Sequence, residues 1–272
     1  MELKITVVTV CYNAVETIER TLLSVLGQTY PNIEYIIIDG GSTDGTVDII
    51  KKYADRLAYW VSEPDKGIYD AMNKGILRAT GDYINFMNAG DLYVSPTTIS
   101  DLFKHHTDEE ILYGNIIRCF NKYKERTNGI IVENPLVIDF INNTIHHQAA
   151  FISKNLFNRY GLYSSDYKLM SDWKFFFEVV AIAHEKIKYI NQDIAYFYMD
   201  GASSNNKSLY KAECIDYLSS RYGDEFCTYL YTLKDFKNCS LSRLALRLDH
   251  LCRNNPTIFK CCRYIKCLMS WL

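Results

Sequence analysis

Acidic side chains stand directly after two strand-like runs in the first third of the chain, where they could bind a divalent cation. Asp39 follows the apolar run Tyr35–Ile38, and Asp91 ends the turn Asn88–Asp91 that comes after Tyr83–Met87. Apolar runs without polar alternation are typical of strands buried on both faces of a parallel sheet. Open sheets of this kind bind ligands beyond the carboxyl ends of their strands, so both carboxylates could face one crevice. Two hard oxygen ligands, completed by phosphate oxygens and water, suit Mg²⁺ or Mn²⁺.

The loop that follows Asp39 has the composition of a ligand-binding turn. Three glycines within Gly40–Gly45 permit backbone angles and close approaches that a Cβ would block, and Asp44 can cap the helix that begins at Thr46. A well-formed strand, turn and helix with surface acids explains this segment equally well. A single Asp after a strand is an ordinary turn residue, so the binding interpretation depends on the pair of acids.

Hydrophobic periodicity predicts the elements that must position these residues. A strand pattern at Lys4–Val10 leads into helical spacing over Val15–Gly27, and a second helix is predicted from Thr46 to about Tyr53. A short strand near Leu57–Val61 completes a β-α-β-α-β alternation, which predicts an α/β fold with a doubly wound, mostly parallel sheet flanked by helices. The later predicted elements are a helix at Thr97–His105, a strand at Ile111–Asn115, a hairpin or excursion at Cys119–Asn128, a helix at Tyr167–Val180 and a strand at Tyr189–Tyr198.

A helix predicted over Ile68–Ala79 carries a polar face beside a glycine turn. Its apolar residues fall on one side, while Lys66, Asp70, Asn73 and Lys74 collect on another. Such a helix can line a binding site with its polar face. A solvated surface explains the same pattern and stays open.

Two further candidates for acid–base or hydrogen-bonding chemistry lie in the second half of the chain. His146 and His147 begin a predicted strand that runs to Ile152, where adjacent side chains point to opposite faces, so one histidine can face a site. A structural role for that histidine is equally open. Asp172 lies near the start of the predicted helix Tyr167–Val180, where a carboxylate is favoured by the helix dipole and backbone donors. A general base could sit at the same place.

Composition points to a folded protein and gives no general reason to expect nucleic-acid binding. The 272 residues are 48% hydrophobic and 23% charged, with a net charge of −2, which fits one large α/β domain with an appendage or two small domains. The nine cysteines are odd in number and have no recognisable zinc spacing, so reduced thiols in the cytoplasm are expected. We find neither a secretory signal pattern nor a run of the ~18 apolar residues that a membrane-spanning helix needs.

Four motifs carry a resemblance to a known family. They are Thr9–Asn13, Ile38–Thr46, Glu63–Gly75 and Asn88–Asp91. With these motifs in this order, the sequence closely resembles the family 2 glycosyltransferases with the GT-A fold, and within them the bacterial enzymes that build surface polysaccharides. The resemblance covers about Ile5–Tyr198. It implies a GT-A catalytic domain over residues 1–206, with a nucleotide-sugar half (1–95) and an acceptor half (96–206), and a helical C-terminal extension over residues 207–272.

The resemblance also implies roles for individual residues. The nucleotide is expected to contact Thr9, Cys11, Tyr12, Asn13, Asp39, Gly40 and Lys66. The sugar and phosphates of the donor are expected to contact Asp70, Asn73, Lys74, Asn88, Ala89 and Gly90. Asp91 is the expected ligand of Mn²⁺ or Mg²⁺, because Asn88–Asp91 matches the family's Asp-X-Asp motif and keeps only its last acid. Asp172 is the expected general base, with Ser171 in place of a preceding acid, and His147 and Trp173 are expected to line the site.

The chemistry that the resemblance implies is inverting sugar transfer from a nucleoside diphosphate sugar, UDP-linked as is usual in the family, to a glycan acceptor. The metal and a cation such as Lys66 or Lys74 would neutralise the leaving diphosphate. Asp172 would accept the proton of the acceptor hydroxyl as it attacks the anomeric carbon.

The segment Leu241–Leu272 suggests an additional partner. It carries six Arg or Lys and one Asp, and its apolar residues recur at helical spacing on either side of Pro256. Basic amphipathic helices of this kind can lie on an anionic membrane surface, which would suit a lipid-linked acceptor and a peripheral position on the inner face of the plasma membrane. A helical cap on the catalytic domain or a dimer contact explains the same pattern.

Two other functions remain open on sequence alone. The loss of the first metal acid and of the acid before Asp172 leaves room for a catalytically silent subunit that binds nucleotide-sugar or glycan. A sugar nucleotidyltransferase would also use a nucleotide-binding α/β sheet, but it would be expected to carry a basic, Gly-rich phosphate loop after the first strand, where this chain has Cys11–Ala14.

Overall fold

A computed structural model describes the chain at residues 3–106, 108–132, 134–198 and 206–235. Within these ranges the strands are β1 (Ile5–Cys11), β2 (Ile33–Asp39), β3 (Tyr59–Ser62), β4 (Tyr83–Phe86), β5 (Leu92–Tyr93), β6 (Ile111–Cys119), β7 (Lys124–Thr127), β8 (Ala150–Ser153) and β9 (Ile187–Tyr198). The α-helices are α1 (Ile18–Leu26), α2 (Thr46–Lys52), α3 (Ile68–Arg78), α4 (Thr98–Phe103), α5 (Val137–Asn142), α6 (Lys154–Tyr160), α7 (Ser171–Phe176, continued by a π-helix over Phe177–Ile182), α8 (Lys207–Tyr222) and α9 (Asp224–Asp235).

The strands form one mixed sheet in the order β3-β2-β1-β4-β8-β6-β9-β5, and β7 pairs with β6. The first four strands are parallel, with Cys11 opposite Asp39 and Val8 opposite Phe86. The second half mixes directions, because β8 runs antiparallel to both β4 and β6 while β6 and β9 are parallel. The expected α/β fold with a parallel core and C-terminal helices is confirmed, and the ends of β1 and β2 meet at one edge.

The parallel strands lack polar alternation because both faces of the sheet are covered. Along β1, Val8 belongs to the apolar cluster that contains Met72 of α3, whereas Val7 belongs to the cluster that contains Leu22 of α1. These four side chains are 0% exposed. Helix α3 lies so close to β1 that a Cβ on Gly75 would stand 2.4 Å from Cγ1 of Val8. Packing from both sides therefore accounts for the apolar residues on both faces of these strands.

Two sequence predictions are corrected by the structure, and one is confirmed. His146 and His147 do not lie on a strand, because His147–Ala149 forms a 3₁₀ turn and β8 begins only at Ala150. The helix expected from Tyr167 begins at Ser171. The excursion after β6 is a hairpin, in which β7 pairs antiparallel with the end of β6.

Among the described helices, none combines the length and the apolar composition needed to cross a bilayer. The basic amphipathic pattern of Leu241–Leu272 lies outside the described residues, and so do residues 201–205 of the loop before α8.

Candidate active site

A cavity of about 880 Å³ opens at the carboxyl edge of the parallel strands. This volume is within the range of sites that hold cofactors and small substrates. Its wall combines the end of β1, the start of α3, the Asn88–Asp91 turn, the 3₁₀ turn at His147, the start of α7 and one face of α8. The expected site residues that line it are Cys11, Tyr12, Asn88, Ala89, Gly90, Asp91, His147, Asp172 and Trp173.

Asp39 holds together two loops beside this cavity. Its carboxylate accepts hydrogen bonds from the Ser42 amide (2.8 Å), the Ser42 hydroxyl (2.5 Å) and the Ser62 hydroxyl (2.6 Å). Burial disfavours its charge, but these donors outweigh burial and hold the pKa of Asp39 below its ordinary value. Asp39 is 0% exposed and does not line the cavity. In this structure it therefore fixes the loop after β2 to the end of β3.

Tyr12 is the expected nucleotide-contacting residue most open to the cavity, with 65% of it exposed. Its neighbour Asn13 fixes the turn, since the Asn13 amide donates to Ser42 Oγ (2.7 Å) and its Oδ1 accepts from the Thr43 amide (3.0 Å). A Cβ on Gly40 would stand 2.5 Å from Oδ2 of Asp65 and 3.4 Å from the Tyr12 ring. A rigid turn thus presents an aromatic face, on which a nucleotide base can stack.

Thr9 and Lys66 do not line the cavity. Thr9 is 0% exposed, and its hydroxyl donates to the Met87 carbonyl (2.7 Å) within the sheet. Lys66 is exposed, and its backbone amide donates to Asp70 Oδ2 (3.1 Å) at the start of α3.

The polar face expected on α3 makes contacts within the protein. The side chain of Asn73 is hydrogen-bonded to both the carbonyl (2.8 Å) and the amide (3.0 Å) of Tyr163. The ammonium of Lys74 donates to the Pro64 carbonyl (3.1 Å) and lies 2.9 Å from Glu63. These residues, like Asp70, do not line the cavity, so the polar face of α3 stabilises the Glu63–Gly67 turn and the loop before α7.

The most developed hydrogen-bonded group in the cavity is centred on Asp172, in the first turn of α7. The Tyr69 hydroxyl donates to Oδ1 of Asp172 at 2.7 Å, and Nδ1 of His147 lies 2.9 Å from Oδ2. The Asp172 and His147 side chains are 15% and 16% exposed. The Trp173 backbone amide is a further donor to this carboxylate. A carboxylate has about four lone-pair sites, so Asp172 keeps capacity to accept another hydrogen bond.

The charge states of this pair follow from their contact. Burial disfavours ionisation of Asp172, but the hydrogen bonds from His147 and Tyr69 lower its pKa below the ordinary value. Burial likewise disfavours protonation of His147, but Asp172, together with Asp91, raises the pKa of His147. Both directions favour a carboxylate paired with a protonated imidazole.

His146 differs sharply from its neighbour. Its Nε2 is buried and has no hydrogen-bond partner among the described residues. Burial and the Arg118 charge lower the pKa of His146 to about 3, so the ring is neutral near pH 7.

The Asn88–Asp91 turn is held against α1 and next to His147. The Gly90 amide donates to Thr21 Oγ1 (2.9 Å), and Asn88 Nδ2 lies 3.3 Å from Nε2 of His147. Asp91 is only 6% exposed, and Gly90 has a φ of 106°. Oδ1 of Asn88 is buried and accepts no hydrogen bond from the described residues. The turn therefore brings the Asn88 carboxamide and Asp91 into the wall of the same cavity.

The donor set fits a metal that is shared with a substrate. No group of three His, Cys, Asp or Glu side chains with metal-binding geometry occurs among the described residues. Three carboxylates line the cavity, Asp65, Asp91 and Asp172. Asp172 is paired with His147, and Asp91 is the one that the sequence motif marks as a metal ligand. Mg²⁺ is commonly bound through one or two carboxylates together with substrate phosphates and water, and this donor set agrees with such a site.

Several cavity residues were not found by sequence reasoning. They are Asp65, Tyr69, Arg118, Lys168, Lys207, Tyr210 and Lys211. Tyr69 lies among the buried residues of α3, so nothing in the sequence separates it from the core. The α8 residues recur at helical spacing, and that periodicity is the one signal that could have grouped them.

Comparison with known proteins gives a consistent set of similarities. A model of glycosyl transferase family 2 matches residues 6–161. The PGL/p-HBAD biosynthesis glycosyltransferase of Mycobacterium bovis BCG is 30% identical over 199 residues, which cover 71% of this chain and 76% of that protein. The chain spans 66% of the length of two further mycobacterial relatives, at 31% identity.

Solved structures share the fold. Staphylococcus aureus TarS 1–349, in complex with UDP-GlcNAc, has a TM-score of 0.62 at 16% identity and covers 84% of this chain and 70% of its own. The mannosyltransferase PcManGT from Pyrobaculum calidifontis, in complex with GDP-Man and Mn²⁺, also has a TM-score of 0.62 at 16% identity, with coverage of 100% and 81%.

Proposed function

Because this chain belongs to glycosyl transferase family 2, we propose that it transfers a sugar, with inversion, from a UDP-sugar to a hydroxyl of a cell-surface glycan precursor. One observation carries the proposal. An ionised carboxylate, Asp172, stands in the cavity wall, where two side chains, Tyr69 and His147, hold it in place and leave it able to accept a proton. The named activity of the mycobacterial relative, a biosynthetic glycosyltransferase, supports the reaction class.

The binding site of the sugar donor is assigned to the part of the cavity formed by residues 1–95. Tyr12 supplies an aromatic face for the uracil base, and Asp65 stands beside it. TarS holds UDP-GlcNAc and PcManGT holds GDP-Man, which supports a nucleoside diphosphate sugar as donor. The Asn88 carboxamide, which lines the cavity, can hydrogen-bond to a hydroxyl of the donor sugar.

Asp91 would hold Mn²⁺ or Mg²⁺ together with oxygens of the diphosphate. When bound, such a cation supplies positive charge that stabilises the departing diphosphate. The Mn²⁺ held by PcManGT supports this cofactor class.

Asp172 accepts the proton of the acceptor hydroxyl as the hydroxyl oxygen forms its bond to the anomeric carbon. The bond between that carbon and the diphosphate oxygen breaks on the opposite face, so the configuration inverts and UDP leaves. Tyr69 and His147 fix the carboxylate, since each holds one oxygen at hydrogen-bond distance. A positioned base of this kind contributes about 10²- to 10⁴-fold to the rate.

The acceptor is assigned to residues 96–206 together with α8, whose residues close the cavity beside Asp172. We propose a lipid-linked glycan at the inner face of the plasma membrane. The basic amphipathic pattern of Leu241–Leu272 supports association with an anionic membrane surface.

The test compares Asp172→Asn with the native protein, by measuring UDP release from UDP-GlcNAc and UDP-glucose in the presence of a polyprenyl diphosphate-linked monosaccharide. We expect kcat to fall by about 10²- to 10⁴-fold, with UDP affinity by calorimetry unchanged. The control Tyr69→Phe removes one hydrogen bond but keeps the carboxylate, and should cost about tenfold or less.

Two results would contradict the assignment. A loss of less than tenfold in Asp172→Asn, with UDP still bound, would remove Asp172 as the base. UDP binding without turnover in the native protein, over a wider panel of donors and acceptors, would favour a silent binding subunit.

A further inference from the structure

One face of α8 forms a wall of the cavity. Lys207, Tyr210, Lys211 and Cys214 all line it, and their spacing of three, four and seven residues places them on one side of a helix. On this face Cys214 is buried and Tyr210 is half-buried, while the two lysines are exposed. The face therefore presents two ammonium groups above an aromatic and apolar base.

A third cation, Lys168, is held next to this face by a specific contact. The carboxylate of Glu213 on α8 accepts hydrogen bonds from the backbone amides of Lys168 (2.8 Å) and Leu169 (2.9 Å). This contact ties the loop before α7 to α8. The Lys168 side chain, which also lines the cavity, is thus presented from a fixed backbone.

A fourth cation reaches the cavity from the sheet. Arg118 lies on β6 opposite Phe197 of β9, and both residues line the cavity. Nε of Arg118 is buried and has no hydrogen-bond partner among the described residues. A buried guanidinium nitrogen without an acceptor is costly, and a phosphate oxygen would satisfy it.

In the part of the chain that the structure describes, none of Arg118, Lys168, Lys207 and Lys211 forms an ion pair. The cavity's central carboxylate, Asp172, is already paired with His147. The positive charge of this wall is therefore available for an anionic ligand.

The position of the wall indicates which substrate it serves. The residues of this α8 face line the same cavity as Asp172. Burial and, to a smaller extent, the charge of Asp172 raise the pKa of Cys214 on this face to about 12. A base must contact the acceptor. The four cations come from the part of the chain after residue 95, whereas Tyr12 and Asp91 come from the first 95 residues.

We propose that Arg118, Lys168, Lys207 and Lys211 form a subsite that binds phosphate groups carried by the acceptor. The inference rests on the proposed transferase function and narrows its acceptor to a phosphate-bearing glycan or glycolipid. Arg118 supplies a planar fork that can hold two phosphate oxygens, and the lysines add charge at the rim. Phosphate of the donor is the other source of the same chemistry, and the experiment separates the two.

The experiment measures binding of inorganic phosphate to the full chain by ³¹P line broadening, with the donor site saturated by UDP and Mg²⁺. The variant Lys207→Gln/Lys211→Gln should bind phosphate at least ~10-fold more weakly, because two charge-assisted contacts are lost. Arg221→Gln is the matched control, since it removes one charge from the same helix at a position that does not line the cavity. It should bind phosphate as the native protein does, and all variants should keep the native UDP affinity.

Each alternative result overturns the inference. A fall in UDP affinity of the double variant, without a change in phosphate binding, would assign the wall to the diphosphate of the donor. Equal phosphate and UDP affinities in the native protein and the double variant would show that the wall binds no phosphate. Failure of the proposed transferase function would give a different result, because the native protein itself would then show no UDP binding or no turnover.

Discussion

The contact between His147 and Asp172 predicts a specific pH dependence. The groups that face His147 are Asp172, at 2.9 Å, Asn88, at 3.3 Å, and the Asp91 charge, and the carboxylates raise the pKa of His147. Below that pKa, proton transfer to Asp172 discharges one partner of an ion pair. Above it, the same transfer breaks only a hydrogen bond to a neutral imidazole. Asp172 is therefore the stronger base at high pH, and kcat should rise as pH increases through the pKa of His147.

The size of this rise in kcat follows from the different strengths of hydrogen bonds to charged and to neutral groups. A hydrogen bond to a charged group contributes about 1.5–3 kcal/mol, against about 0.5–1.5 kcal/mol for a neutral one. The difference is about 1 kcal/mol in the transition state, which corresponds to about a fivefold change in kcat. The substitution His147→Gln replaces the titrating group with a neutral amide that can still donate to Asp172. We expect the variant to lose the ascending limb and to keep the rate of the upper plateau at all pH values.

The assay is the steady-state rate of UDP release as a function of pH, with kcat and KM determined separately. His146→Gln is the matched control, because His146 has a pKa of about 3 and stays neutral throughout the measured range. That variant should keep the ascending limb. The reasoning is refuted if the limb persists with the same midpoint in His147→Gln, or if it disappears in His146→Gln.

Two further predictions concern the metal and the stability of the sheet. Mn²⁺ should strengthen UDP affinity at least ~10-fold in the native protein but not in Asp91→Asn, as measured by calorimetry with and without chelator. An equal metal dependence of UDP affinity in the two proteins would exclude Asp91 as the metal ligand. Glu34 accepts hydrogen bonds from Lys4, Thr6 and Thr80, which overcome the effect of burial and lower its pKa from 4.5 to about 2. The ionised Glu34 therefore stabilises the fold by about 3 kcal/mol above pH 4.5, and this contribution is lost as the pH falls through 2. Glu34→Gln should therefore lower the free energy of unfolding in urea at pH 7, and the difference from the native protein should shrink toward acid pH; an equal free energy of unfolding at pH 7 would contradict this.

The elements around the first half of the cavity were predictable because they depend on local patterns. Tyr35–Ile38 reads as a buried strand since both of its faces are covered, and the structure gives β2 at Ile33–Asp39. The position of the Asn88–Asp91 turn was predictable from strand direction, because parallel strands bring their carboxyl ends to one edge of the sheet. The start of β8 was misplaced, because the 3₁₀ turn at His147 has no periodic signal of its own.

The amino-acid sequence alone determined the α/β alternation, the family motifs and the choice of Asp172 and Asp91 as candidate groups. Only the tertiary structure decided the partners of those groups. Tyr69 and Asp172 are 103 residues apart in the chain, and Asn73 and Tyr163 are 90 apart. Such pairs depend on the packing of α3 on β1 and on the position of α7 beside it. Residue spacing encodes hydrogen bonding within an element, whereas contacts between distant elements depend on how their buried faces fit together.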